Sequence, residues 1–233
     1  MASQTPIVLV PGLLCAAELF APQVPALWPH GPVHIASTLQ GDTIAEIASA
    51  ILASAPPRFA LAGLSMGGYI SMEIMRQAPA RVTKLALLDT SARPDTPEQS
   101  EFRRTLIART KAGEFEAVFE QTLGAFLRPA VWNDPQLQQV WRRMALTTGA
   151  DAYCRHLEAI IARIDSRPSL ARVAVPTLVV VGELDPLTPP ERAREIAGLI
   201  AGARLVEVPQ CGHGSTLDQP GVVTRELVQW LEQ

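Results

Sequence analysis

The chain has 233 residues, 48% of them hydrophobic and 18% charged, which suits one α/β domain with a sizeable core and argues against disorder. A net charge of −3 and a pI near 5.8 leave no basic footprint for a nucleic-acid partner. No uninterrupted apolar run reaches the roughly 18 residues needed to span a bilayer, so no membrane partner is expected.

Six short apolar runs read as buried parallel strands because they are continuous rather than alternating: 7–10, 33–36, 59–63, 84–88, 177–182 and 204–208. Helical patterns fall between them. The first covers 43–55, with Ile44, Ile47, Ala48, Ile51 and Leu52 on one face and Thr43 with Glu46 as a capping box. Others cover 66–77, closed by Pro79, then 190–199 and 221–231. This alternation predicts a doubly wound, mostly parallel sheet of about six strands with helices on both faces. It breaks between 91 and 170, a stretch with helical periodicity and no strand pattern. Residues 1–90 and 171–233 therefore read as the core, and 91–170 as an inserted helical lid over the carboxyl edge of the sheet. The lid has ten Arg and one Lys against ten acids, which predicts solvated helix faces and no binding stripe.

Cys15, Cys154 and Cys211 are odd in number, widely spaced and without a CxxC pair. They predict free thiols in a reducing, cytoplasmic compartment. No Lys or Arg precedes Arg58, so the charged start of a secretory signal is not expected.

The chemistry centres on Gly63-Leu64-Ser65-Met66-Gly67, set between a strand pattern and a helix pattern. That is the context of a nucleophile elbow, where a serine is forced into a tight turn and glycines avoid collision with neighbouring backbone. Ser65 needs a base. His34 lies inside a strand, His30 in a Pro/Gly turn and His156 on a helix, whereas His213 sits in a glycine-flanked loop after the last strand. His213 is thus the expected general base. Asp185, after the penultimate strand, is the favoured acid, and the order Ser65, Asp185, His213 suits this fold. Asp89, one strand after the nucleophile, is the alternative acid; its other role would be to cap the start of the lid or to hydrogen-bond loop amides. The backbone N–H groups of Met66 and of Leu13, in the loop Val10-Pro11-Gly12-Leu13, are the expected oxyanion donors. Cys15 and Cys211 are expected to pack. No histidine pair has metal-ligand spacing and no glycine loop ends as a P-loop, so neither a metal nor another cofactor is implied.

On the elbow, the acid turn Gly182-Glu183-Leu184-Asp185 and the base loop Cys211-Gly212-His213, the chain resembles the α/β-hydrolase superfamily over nearly its full length. It is most similar to the lid-bearing branch of small carboxylesterases, enol-lactonases and C–C hydrolases. The resemblance implies that the first two strands of the full fold are absent, leaving the order 4-3-5-6-7-8. Pro11-Gly12 replaces the His-Gly common in the oxyanion loop. Serine at position 65, where an Asp nucleophile would stand, excludes the epoxide hydrolases and haloalkane dehalogenases.

The expected reaction is Ser-His-Asp acyl transfer on a small, largely apolar ester, the small molecule being the expected partner. Lactone, thioester or C–C cleavage by the same triad, perhydrolase side activity, and slow-turnover small-molecule reception remain open. Phe126, Trp132, Trp141 and Tyr153 are lid aromatics that could line the pocket, although helix packing accounts for them equally well.

Overall fold

The six apolar runs all become strands in the computed structural model, which describes residues 5–128, 131 and 133–233. They are β1 Ile7–Val10, β2 Val33–Ile35, β3 Phe59–Leu64, β4 Val82–Leu88, β5 Thr177–Gly182 and β6 Arg204–Val208. All neighbours pair in parallel, in the order β2-β1-β3-β4-β5-β6, which is the expected order renumbered for a sheet without the first two strands. Every residue of β1, β3 and β5 is buried. Successive side chains point to opposite faces, so both faces of the sheet are covered. The strand bounds differ from the apolar runs by two residues at most. Val82 extends β4 because it pairs with Phe59, and Ala36 leaves β2 while its N–H still donates to Leu9 O at 2.8 Å.

Seven helices of ten or more residues are labelled. Helix α1, Ile44–Ser54, starts at Thr43, whose hydroxyl accepts from Glu46 N while the Glu46 carboxylate accepts from Thr43 N. Helix α2, Met66–Gln77, leaves the end of β3 with only Ser65 between them. Three of these longer helices lie between β4 and β5: α3 Pro97–Arg109, α4 Phe115–Phe126 and α5 Pro135–Ile161. Helix α3 opens on a capping box of Thr96 and Gln99, and α5 is kinked at Gly149, which has a φ of 76°. Helices α6, Pro190–Leu199, and α7, Pro220–Glu232, flank β6 in sequence.

The chain winds one way from β1 to β2 and the other way from β3 onward, so the carboxyl ends of β1 and β3 flank the point where the strand order reverses. Ligands of open α/β sheets bind at that point. Among the described residues, four non-glycine residues have positive φ: Leu14, Ser65, Asp89 and Gln210. All four lie just beyond the carboxyl ends of β1, β3, β4 and β6. Such backbone costs roughly 1–3 kcal/mol per residue, and its concentration along one edge marks that edge as the functional one.

Candidate active site

Ser65 has φ 57° and ψ −116°, a conformation that serine adopts only when its surroundings impose it. Its N–H donates to Leu88 O at 2.9 Å, which carries the β3–β4 ladder one residue past β3. Its carbonyl accepts from Gly68 N and from the Thr90 hydroxyl, both at 2.8 Å. The flanking glycines are required by space. A Cβ at Gly63 would overlap the Gly67 carbonyl, and one at Gly67 would overlap the Val10 carbonyl. The loop after β1 is pressed against the same turn, with a Cβ position on Gly12 only 3.3 Å from Ser65 Cβ. Leu13 follows in that loop and lines a cleft above Ser65, while Met66 supplies the first amide of α2, a donor with no intrahelical acceptor.

The edge brings Ser65, His213 and Asp185 into one relay. His213 Nε2 lies 2.8 Å from Ser65 Oγ, and His213 Nδ1 lies 2.8 Å from Asp185 Oδ2. Asp185 also accepts from Leu187 N at 2.8 Å, from Thr188 N at 3.0 Å and from the Thr188 hydroxyl at 2.6 Å. A carboxylate so supplied with donors stays ionised and can only accept. It therefore assigns the proton of the neutral imidazole to Nδ1 and leaves Nε2 to accept from the serine hydroxyl. Burial opposes ionisation of Asp185, yet the His213 charge and the bonds from His213 and Thr188 outweigh it and bring this carboxyl down to about 2. Burial likewise disfavours the imidazolium, but the Asp185 charge and hydrogen bond, with Asp89 behind them, raise His213 above its ordinary value.

Asp89 makes no hydrogen bond to His213. Fully buried, it accepts from Gly182 N at 3.0 Å and from Ser215 N at 3.1 Å. It thereby ties the end of β5 to the loop carrying His213, the amide-binding role considered for it from the sequence. Burial first, and the Asp185 charge second, push its carboxyl up to about 7. The other histidines stand apart: His34 lies in β2, His30 in a short turn of helix, and buried His156 pairs through Nε2 with Thr38 O at 2.8 Å. Cys15 and Cys211 are buried, and burial pushes the Cys15 thiol up to about 12, far from a thiolate nucleophile. Among the described residues, no three His, Cys, Asp or Glu side chains are grouped so that they could hold a metal ion.

With this geometry on a six-stranded parallel sheet, a match to the model of the alpha/beta hydrolase family over residues 7–226 decides the family. The chain is an alpha/beta hydrolase. It is 29% identical over 189 residues to a pimeloyl-[acyl-carrier protein] methyl ester esterase of Nitrosomonas europaea, covering 77% of this chain and 73% of that protein. It is 33% identical over 175 residues to a putative carbamate hydrolase of Klebsiella pneumoniae, covering 72% of this chain and 64% of that one. Among solved structures, the enol-lactonase of Burkholderia xenovorans superposes with a TM-score of 0.88 at 28% identity, covering 100% of this chain and 93% of that one. These relatives are all named as hydrolases.

The cleft of this alpha/beta hydrolase has a volume of about 270 Å³, with Leu13, Ser65 and His213 among its lining residues. That is at the small end for a ligand pocket. Phe102 and Leu106 of α3, and Tyr153, Leu157 and Ile160 of α5, give it apolar wall. Of the aromatics named from the sequence, only Tyr153 lines the cleft among the described residues. Trp141 does not; its indole packs where a Cβ on Gly214 would fall, beside the His213 loop. Trp132 and the side chain of Phe126 lie outside the described residues.

The helical segment also departs from the expectation of solvated charge. Arg103 and Arg163 line the cleft, and both hold the buried carboxylate of Asp95, each at 2.7 Å. Segment-wide charge balance concealed this, because it averages over faces that the fold separates. The i, i+4 spacing of Phe102 and Leu106 was the one sequence signal for this wall, and the dense charge around it masked the stripe.

Proposed function

We propose that the protein is a serine hydrolase that cleaves carboxylic esters by two-step acyl transfer. Ser65 is the nucleophile, His213 the general base and acid, and Asp185 the carboxylate that holds the imidazole. The observation that carries this reading is the unbroken relay of 2.8 Å contacts from Ser65 Oγ through His213 to Asp185, at the wall of a cleft. In the first step Ser65 Oγ bonds to the ester carbonyl carbon as its proton passes to His213 Nε2. The carbonyl electron pair moves onto oxygen, where the N–H groups of Leu13 and Met66 receive the charge. Collapse of the tetrahedral adduct expels the alcohol, which takes the proton from Nε2. Water then repeats the sequence on the acyl-enzyme, releasing the acid and restoring Ser65. A lactone is a cyclic ester and runs through the same steps, consistent with the enol-lactonase among the structural neighbours.

Residues 91–170 act in this reading as a lid. The contribution of α3 and α5 to the cleft wall supports that role. The free, buried cysteines support a reducing, cytoplasmic setting. The test is labelling with a fluorophosphonate, paired with turnover of p-nitrophenyl acetate and butyrate. Wild-type protein is expected to be labelled stoichiometrically and to turn over, and Ser65→Ala protein to do neither. Labelling of Ser65 with negligible turnover across esters and lactones would favour a receptor, and undiminished turnover by Ser65→Ala would refute the assignment.

A further inference from the structure

The wall facing Ser65 holds more positive charge than it neutralises. Asp95, with 1% of its side chain exposed, is shared by two arginines: Arg103 Nε meets its Oδ2 and Arg163 Nη1 its Oδ1. One carboxylate for two guanidinium groups leaves one charge uncompensated. Arg163 is largely spent. It donates also to Arg93 O and Ile160 O, lies 4.4 Å over the Tyr69 ring and is 7% exposed. Arg103 is not spent. Its Nε and Nη2 face Asp95, its Nη1 has no hydrogen-bond acceptor among the described residues, and 22% of its side chain remains exposed. It lines the same cleft as Ser65, His213 and Tyr153. Arg192, in the first turn of α6, lines the same cleft and has no ion pair among the described residues. Arg93 lines it too but is held by Glu195. Arg192 acts electrostatically on Glu195, which Arg93 and Arg167 already hold, so the cleft carries more positive charge than Asp95, the one acid lining it among the described residues, can offset.

We infer that the substrate carries a second, free carboxylate, which Arg103 binds through its unused edge with Arg192, on α6, assisting. The inference rests on the acyl-transfer reading of Ser65 and narrows it from apolar esters to half-esters of dicarboxylic acids or esters of hydroxy-acids. A neutral ester closing this cleft would strip water from Arg103 N–H groups and give nothing back. A carboxylate instead gains a charge-assisted bond in the same place, and the planar fork of arginine suits it better than an ammonium group would.

The test measures kcat/KM on matched pairs: monomethyl adipate against methyl hexanoate, with the charge on the acyl side, and 4-acetoxybenzoate against 4-methylphenyl acetate, with the charge on the leaving side. Adipate binding by calorimetry runs alongside. Wild-type protein should favour the anion in at least one pair by roughly 10- to 100-fold, the range of a hydrogen bond to a charged group. Arg103→Gln should collapse that ratio and abolish adipate binding, Arg103→Lys should keep part of both, and Arg192→Gln should lower them less than Arg103→Gln. Because the readout is a ratio within one protein, a partly unfolded variant does not mimic the result. Arg103→Lys keeps Asp95 paired if loss of the cation proves disruptive. Ser65-dependent turnover with no anion preference in either pair, or a preference that survives Arg103→Gln, overturns this inference and leaves the serine mechanism standing. Turnover that persists in Ser65→Ala overturns the mechanism itself, and adipate binding then still reports on Arg103. If neither pair is turned over, failure of adipate to bind overturns the inference.

Discussion

The carboxyl edge of the sheet and the helical segment between β4 and β5 face each other across one cleft but are built on opposite principles. The edge is backbone-defined. Left-handed residues, interlocked loops and buried carboxylates hold the relay, and each oxygen of Asp185 has two hydrogen-bond partners. The helical segment is side-chain-defined. Apart from the buried Asp95 cluster, many of its ion pairs, such as Arg109–Glu114 and Arg142–Glu116, lie exposed to water, where a pair contributes little. The edge can therefore perform one reaction with little tolerance for change, whereas the segment can alter what enters without disturbing that reaction.

The largest break in this contrast should come from the edge. Ser65→Ala is expected to lower kcat by about five orders of magnitude on p-nitrophenyl esters, since the members of such a relay act as a unit. Asp185→Asn should follow, with a loss of about 10⁴-fold, because an amide both accepts and donates and so ceases to dictate the imidazole tautomer. Asp89→Asn should cost far less, about tenfold, because Asp89 acts on His213 through the Ser215 amide and not by contact. Steady-state kinetics of the two variants decide between the acids, and a greater loss at Asp89 would reverse their roles.

A sharper form of the comparison is the pH profile. His213 must be neutral to accept the serine proton, and the Asp185 charge, its hydrogen bond and the Asp89 charge together stabilise the protonated form more than burial opposes it. The ascending limb of kcat/KM should therefore fall above the ordinary histidine value of about 6.5. Removing the Asp185 charge removes the main support of the imidazolium, so the residual activity of Asp185→Asn should rise at lower pH than that of wild type. Asp89→Asn should move the limb in the same direction by a smaller step, since its charge also favours the imidazolium. An unchanged limb in Asp185→Asn would show that another group sets the profile.

The same division explains what could be read from the chain. Strands β5 and β6 and helices α2 and α6 begin and end where the pattern of residues predicts, because buried strands and amphipathic helices are local in sequence. That Ser65, His213 and Asp185 come together was legible for a related reason. Each stands at a strand end, and strand ends converge once the sheet is parallel. The cationic wall was not legible. Asp95, Arg103 and Arg163 lie up to 68 residues apart, and only the packing of α3 against the end of α5 makes them one cluster. Trp141 was misplaced because a helix pattern identifies the buried face without saying whether it meets the cleft or the loop of His213.

The smallest predicted effects separate the regions by sign. Glycine to alanine at Gly67 adds one methyl group against the Val10 and Pro11 carbonyls, neither of which can move without opening β1 or the oxyanion loop. The expected cost is about 3 kcal/mol or more, with esterase activity lost along with stability. In the helical segment, Gly124 is exposed near the end of α4 and has nothing within 4 Å of the site where a Cβ would be placed. There the same substitution meets no neighbour, improves helix propensity and narrows the unfolded ensemble, so Gly124→Ala should stabilise by about 0.5–1 kcal/mol. Urea midpoints for the two variants give both values, and kcat of Gly124→Ala should match wild type. A destabilised Gly124→Ala would mean that α4 packs against a surface as exacting as the edge, and the contrast between a fixed reacting edge and a permissive helical wall would fail there.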